Sequence, residues 1–452
     1  MQYARALPPL FGLPRGDELR ALHAQVLAGD PGVAGHRHYW LSDVSAHARP
    51  GFSAVLHMAS NRTLASECVN GEGLQNRAMG DGVLTTQVTG AEYRGAAPVW
   101  RWSLAPGATA LQDALVYDCA NAQVRGGAAF VGGASDGWRG TAAMALARVD
   151  ANHSLAARKA WAFLDDGVVA LGAAIVSDGA RNVATAIEQR LLDGAVWYAQ
   201  GSADPALLPP GSLLSAPDLD WVWHDGIAYV LLAALAPAPA SAFAVSSRVQ
   251  SGSLANITQG PPDPIAFPVF LAYLHHGSAT AATAASFAYA IVPVAAPADA
   301  PAAIAAFSAR TAVVANGGDA SAVCRSAPNA TTVWALHAVF WPPPTTTPPT
   351  SAAGAAPAAL RAAAPCPAVA ADAPAVVTVS LDAATQRVTV AAAAPLRGQA
   401  GSALRVTLAG TRAAGPACAP TPDGTGTVVT LALPTGVAAG SSAIEECVLQ
   451  AR

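Results

Sequence analysis

Charge is what this chain has least of. Only 12% of its 452 residues are Asp, Glu, Lys or Arg, and the formal net charge is −4. No basic stripe with interleaved aromatics occurs, which argues against a nucleic-acid partner. None of the six cysteines forms a Cys-x-x-Cys pair, so neither a zinc site nor a thioredoxin-like redox motif is supported. There is no Gly-rich phosphate loop, no Gly-x-Ser-x-Gly elbow and no His-Glu-x-x-His. No cofactor and no metal are expected. The N-terminal stretch MQYARALPPLFGLPRGDELR lacks the apolar core of a signal peptide. The longest uncharged run, residues 226–247, is interrupted by Pro237, Pro239 and several serines. It reads as strand, Pro-rich turn and strand, with no membrane span expected.

What is present points to strands. One convincing helix is visible, over residues 15–29, with Leu19, Leu22, Val26 and Leu27 on one face, Asp17 as cap and Gly29 as stop. From residue 36 the pattern becomes apolar runs broken by turn residues. The Asp-Asp-Gly at 165–167 between two such runs is a hairpin signal. No βαβ rhythm appears, so a parallel sheet is not expected. Residues 343–375 are rich in Pro, Ala and Thr and read as a linker. Strand patterns return from 376. The chain is therefore read as all-β: a helical connector over 1–35, a large antiparallel sandwich over 36–342, the linker, and a small sandwich over 376–452.

The even cysteine count and four Asn-x-Ser/Thr sequons, at Asn61, Asn152, Asn256 and Asn329, favour an extracellular, glycosylated protein. Cys418 and Cys447 lie close enough in the last region to pair. A secreted protein without a leader suggests that Met1 is not the natural start.

Residues 64–84, LASECVNGEGLQNRAMGDGVL, gather Glu67, Asn70, Glu72 and Asp81 among four glycines. Glycine lets such a loop approach a ligand or another backbone closely. A plain polar turn network joining two strands explains the same residues. The remaining candidates have simpler readings. His224, His275 and His276 read as turn and strand-end residues. Adjacent histidines on a strand point to opposite faces and do not chelate one ion easily. Trp221 and Trp223 share one strand face and read as sandwich packing.

Several ordered blocks resemble the polysaccharide lyases that cleave hyaluronate, chondroitin and xanthan (family 8). They are SDVSAHARPGFSAVLHMAS at 42–60, ECVNGEGLQNRAMGDG at 67–82, LAPGAT at 104–109, FVGGASDG at 130–137, ARKAWAFLDDGVVALGAAI at 157–175, WVWHDGIAYVL at 221–231 and LHHGSATAATAASFAYAIVP at 274–293. The resemblance covers about residues 36–342. It implies a β-supersandwich, a smaller sandwich, and an α/α toroid encoded upstream. It implies β-elimination on acidic, uronic-acid-containing polysaccharides, with the acid, base and carboxylate-neutralising groups on the toroid. It assigns Glu67 and Asn70 supporting roles at the cleft, and leaves Arg77 as a substrate-binding candidate that would pair with an acidic sugar. Gly73, Arg77 and Ala78 depart from the family pattern, which more often has Asn or aromatic residues there. The competing reading is a non-catalytic carbohydrate-binding or scaffold sandwich. On either reading this chain alone is expected to be inactive.

Overall fold

The structure, a computed structural model, describes residues 12, 16–27, 34–112, 124–150, 153–201, 203–232, 242–326, 332–343, 359–382, 384–398 and 401–450. The expected helix forms over Gly16–Leu27. A second helix, Ala300–Ala309, falls within the stretch read as strands. Its alanines gave no strand or helix period, but Ala300, Ile304 and Phe307 recur on one face and are buried.

Among the described residues the strands form five sheets, of four, six, nine, seven and five strands, and the pairings are antiparallel. The nine-stranded sheet is the centre of the molecule. Two of its long members, Gly140–Asp150 and His153–Leu164, pair from Gly140 opposite Phe163 to Asp150 opposite His153, and the chain then turns through Asp165 and Asp166 into Gly167–Ser177. Alternate residues of this region enter two different cores. Trp161, Phe163, Val168 and Ala170 pack against Phe52, Leu56 and Leu84 of the four-stranded sheet and Ile187, Phe243 and Phe270 of the six-stranded one. Ala160, Ala162, Leu164, Val169 and Leu171 pack against the helix at 300–309 and Val323, Val339 and Val376 of the seven-stranded sheet. Burial on both faces explains why this sequence is apolar almost throughout, without the alternation of a half-exposed strand. The seven- and five-stranded sheets enclose a third core, with Leu336, Val377 and Val379 facing Val369, Leu404, Val406 and Val429.

Two sequence boundaries need correction. Strands Thr311–Asn316, Ala320–Ser326 and Thr332–Phe340 precede residue 342, yet they belong to the seven-stranded sheet, next to Ala375–Asp382. The cut at 342 therefore runs through a sheet. The stretch read as a linker over 343–375 contains strands Ala359–Leu360 and Ala368–Ala371 of the five-stranded sheet. Residues 344–358 lie outside the described residues. Alanine-rich strands carry little strand signature, and a covalent link marks this one: Cys366 is disulfide-bonded to Cys324. Cys418 and Cys447 are bonded to each other. Cys68 is disulfide-bonded as well.

The Cys324–Cys366 bond spans a separation of 42 residues. Replacing both with Ala is expected to cost about 4 kcal/mol, chiefly by releasing the unfolded chain. Urea midpoints of the two proteins check this; coincident curves would refute it.

The 226–247 run forms strands Ile227–Leu231 and Ala242–Ser246, with 233–241 outside the described residues. No helix among the described residues is long and apolar enough to cross a membrane.

Candidate functional site

The loop at 64–82 is built around an Asn-Gly turn. Asn70 and Gly71 both take positive φ, 54° and 73°, and the Glu72 amide donates to the Val69 carbonyl at 2.9 Å. Positive φ at both central residues is the type I′ arrangement that Asn-Gly favours. Gly73 follows at φ 75°, and a Cβ there would sit 2.2 Å from the Glu67 carbonyl oxygen. Close backbone approach thus accounts for Gly73 where the family pattern has Asn. The loop is pinned on the segment 254–259: the amides of Gly73 and Leu74 donate to the Ile257 carbonyl, and Gln259 Nε2 donates to the Asn70 carbonyl at 2.8 Å.

Glu67, Asn70 and Glu72 are exposed on this loop. Arg77 is buried, with Nη2 3.4 Å from the Val149 carbonyl. Asp81 is buried and ion-paired with Arg148, whose Nε donates to Oδ1 at 2.5 Å. Below it Lys159 is buried and donates from Nζ to the carbonyls of Asp81 and Gly107, both at 2.7 Å. Burial lowers this ammonium to about 7, against the opposing attraction of Asp81. Lys159 thereby ties the start of strand Asp81–Gln87 to the turn at 104–109.

Beside the loop lies a cleft of about 470 Å³. Arg77, Asp81 and Arg148 form one wall with Gln75; Trp100, Arg101 and Trp102 form another; Gln112 and Asn256 also line it. Trp100 and Trp102 meet edge to face, with ring centroids 5.4 Å apart. The strip carrying them is held from beneath by buried Gln189, whose Oε1 accepts from the Arg101 amide and whose Nε2 donates to the Arg101 and Leu104 carbonyls. The arrangement offers aromatic faces, amides and guanidiniums together, a set suited to an anionic sugar. Guanidiniums match carboxylate or sulfate oxygens, and half-buried tryptophans present flat apolar faces.

Of the three residues singled out in the sequence, only Arg77 lines the cleft; Glu67 and Asn70 stand on the adjoining loop outside it. Trp100, Arg101, Trp102 and Gln112 were missed. Their signal was VWRWS at 99–103, a Trp-x-Trp just after Pro98 and ahead of the Ala-Pro-Gly turn. Trp221 and Trp223 are buried, and the Trp223 indole donates to the Val294 carbonyl, as packing residues do. His224 is buried between the Leu191 and Ala195 carbonyls, and His276 bonds Thr185 at 2.8 Å. Among the described residues no group of three or more His, Cys, Asp or Glu could hold a metal ion.

Residues 34–303 match the model of the polysaccharide lyase family 8 super-sandwich domain. The chain belongs to polysaccharide lyase family 8. It is 32% identical over 281 residues to the chondroitinase-AC of Pedobacter heparinus, covering 61% of this chain and 38% of that protein. It is 28% identical over 285 residues to the hyaluronate lyase of Thermasporomyces composti, covering 60% and 35%. In structure it resembles a chondroitinase AC lyase solved with oligosaccharides, with a TM-score of 0.74 at 24% identity over 95% of this chain and 60% of that one. It also resembles Paenibacillus xanthan lyase, with a TM-score of 0.75 at 18% identity over 96% and 40%. This family 8 chain thus spans well under half the length of the curated relatives it matches. The all-β supersandwich and the small second sandwich that the sequence suggested are the observed architecture.

Proposed function

We propose that this supersandwich binds an acidic, uronic-acid-containing polysaccharide in the cleft between Arg77 and Trp102. The observation that carries this reading is the lining itself. Among the described residues lining the cleft, three guanidiniums, Arg77, Arg101 and Arg148, stand with one carboxylate, Asp81, which is ion-paired with Arg148. In a chain of net charge −4 this is a local positive surplus, and two tryptophans stand within it. Arg101 is exposed and carries the readiest charge; Gln75, Gln112 and Asn256 supply amides for sugar hydroxyls.

The same lining argues against cleavage by this chain alone. β-Elimination at a uronic acid needs a base for the C5 proton and an acid for the leaving oxygen. Among the described residues lining the cleft there is no His, Tyr, Lys or Glu. We therefore assign Glu67 and Asn70 to support from the rim, orienting groups supplied by a toroid that pairs with this sandwich. Three disulfide-bonded sites fit an oxidising, extracellular setting.

Two measurements test the reading. Binding of defined chondroitin and hyaluronan oligosaccharides by calorimetry is expected to weaken at least tenfold in Trp100→Ala and in Arg101→Ala. Unchanged affinity in both would remove the cleft from the account. Incubation of the 452-residue chain with the polymers is expected to give no unsaturated-uronate absorbance. A rise abolished by Glu67→Gln would place the chemistry on the loop instead.

A further inference from the structure

A second place on the molecule combines an aromatic face with surplus positive charge. Trp138 sits in the turn joining strands Val131–Ser135 and Gly140–Asp150 and is 45% exposed, unusual for a tryptophan. Its ring is nonetheless fixed. The indole Nε1 donates to Asp165 Oδ1 at 2.8 Å, and the backbone amide is held by Asp136 Oδ1 at 2.8 Å. The Arg49 guanidinium lies 4.1 Å from the ring centroid and donates to the Trp138 carbonyl. A tryptophan kept only for packing would bury this face. Here one face is covered by a cation and the ring remains open to solvent.

The surroundings are cationic. Asp165 is shared by Arg49 and Arg139, and its neighbour Asp166 by Arg310 and Arg325. Arg37 is exposed beside the turn, its Nη1 donating to the Gly137 carbonyl at 2.8 Å. Five guanidiniums thus stand against three carboxylates, those of Asp136, Asp165 and Asp166. Arg37 is the most exposed of them, and among the described residues its guanidinium donates to carbonyls, those of His36 and Gly137.

The location matters as much as the chemistry. Arg148 and Leu155, which line the cleft, are paired at one end of the long hairpin in the central sheet. Gly140 and Phe163, beside Trp138 and Asp165, are paired at its other end. Eight strand residues separate Gly140 from Arg148, roughly 25 Å at the rise of a strand.

We propose that Trp138 and Arg37 form a second contact site for the same class of acidic polysaccharide, engaged by chains long enough to reach both ends of this hairpin. The inference rests on the cleft reading for its ligand class but on separate residues for its site. A pyranose ring lays its C–H face on the open indole, and its carboxylate or sulfate meets Arg37. Two weak contacts on one polymer raise the affinity of long chains without changing that of short ones.

The test compares a tetrasaccharide with a long chain of the same chondroitin on the folded 452-residue protein. Trp138→Ala and Arg37→Glu are expected to weaken the long chain about tenfold or more and leave the tetrasaccharide unchanged. Thermal midpoints confirm that each variant is folded, and Trp138→Phe, which keeps a ring, should retain most of the affinity. Unchanged long-chain affinity in both variants overturns the second site, while Trp100→Ala still judges the cleft on its own. Loss in the Trp138 and Arg37 variants with no effect of Trp100→Ala supports the second site and removes the cleft. A wild-type protein that binds neither ligand overturns both.

Discussion

Acidification from pH 7 to pH 5 is expected to destabilise this protein by about 6 kcal/mol through three buried histidines alone, roughly 2 kcal/mol for each. His47 and His337 are lowered to about 3 and His38 to about 4, in each case first by burial. His36 is lowered well below the usual value by burial and by its histidine neighbours. The cluster lies where strands Gly35–Tyr39 and Val44–Arg49 meet the central and seven-stranded sheets. His36 lies 4.8 Å from Phe163, His47 Nε2 donates to the Leu164 carbonyl at 2.8 Å, and His337 Nδ1 meets Thr141 Oγ1 at 3.0 Å. One further nitrogen on each of His38, His47 and His337, and both on His36, lack a protein hydrogen-bond partner among the described residues. Arg49 and Arg139 oppose protonation nearby, and Asp165 favours it only weakly.

The sign follows from the lowered pKa. The unfolded chain takes up a proton near 6.5, the folded one only near 3 to 4, so stability is complete above pH 6.5 and falls as the pH drops from there toward 3. A loss of this size consumes much of the 5–15 kcal/mol that holds an ordinary domain together. Urea midpoints at pH 7, 6 and 5 measure it, and a flat profile over that range would sink the argument. His47→Gln, whose amide can still donate to Leu164, should flatten the slope by about one proton's share.

These histidines were not legible in advance, and the reason is physical. GHRHYWLSDVSAHAR shows alternation, which fits strands, but a histidine in a strand looks the same whether it faces water or a core. The faces are set by sheets more than a hundred residues away. The same limit hid Lys159, which sits in an apolar strand and finds its two carbonyls on other segments. Local chemistry was readable. The Asp-Asp turn at 165–166 forms between paired strands, and Cys418 with Cys447 are joined. The family blocks carried the architecture. What failed was weak composition: the alanine-rich strands at 359–371 read as linker.

The polar run Glu188-Gln189-Arg190 carries the second large effect. In sequence it resembles the frayed end of a strand. In the structure Val183–Leu191 is shifted by a bulge between Ala186 and Glu188, and all three side chains are buried. Glu188 and Arg190 are fully enclosed and bonded through Oε2 and Nη2 at 2.6 Å. The carboxylate also accepts from the hydroxyls of Tyr93, Tyr229 and Thr86, and Arg190 donates to the Thr86 carbonyl at 2.6 Å. Glu188→Ala leaves a guanidinium in the core without its counter-charge, which is expected to cost about 3–5 kcal/mol. The pair itself is a weaker source of stability than that figure suggests, because enclosing two charges nearly cancels their attraction. The double variant Glu188→Leu, Arg190→Met should therefore recover part of the loss, short of full recovery because Tyr93 and Tyr229 lose an acceptor. Chemical denaturation of the three proteins decides between the two views. A single variant within about 1 kcal/mol of the parent would mean that water reaches Arg190, and a double variant worse than the single would mean that the tyrosines, not the charge, hold this part of the six-stranded sheet.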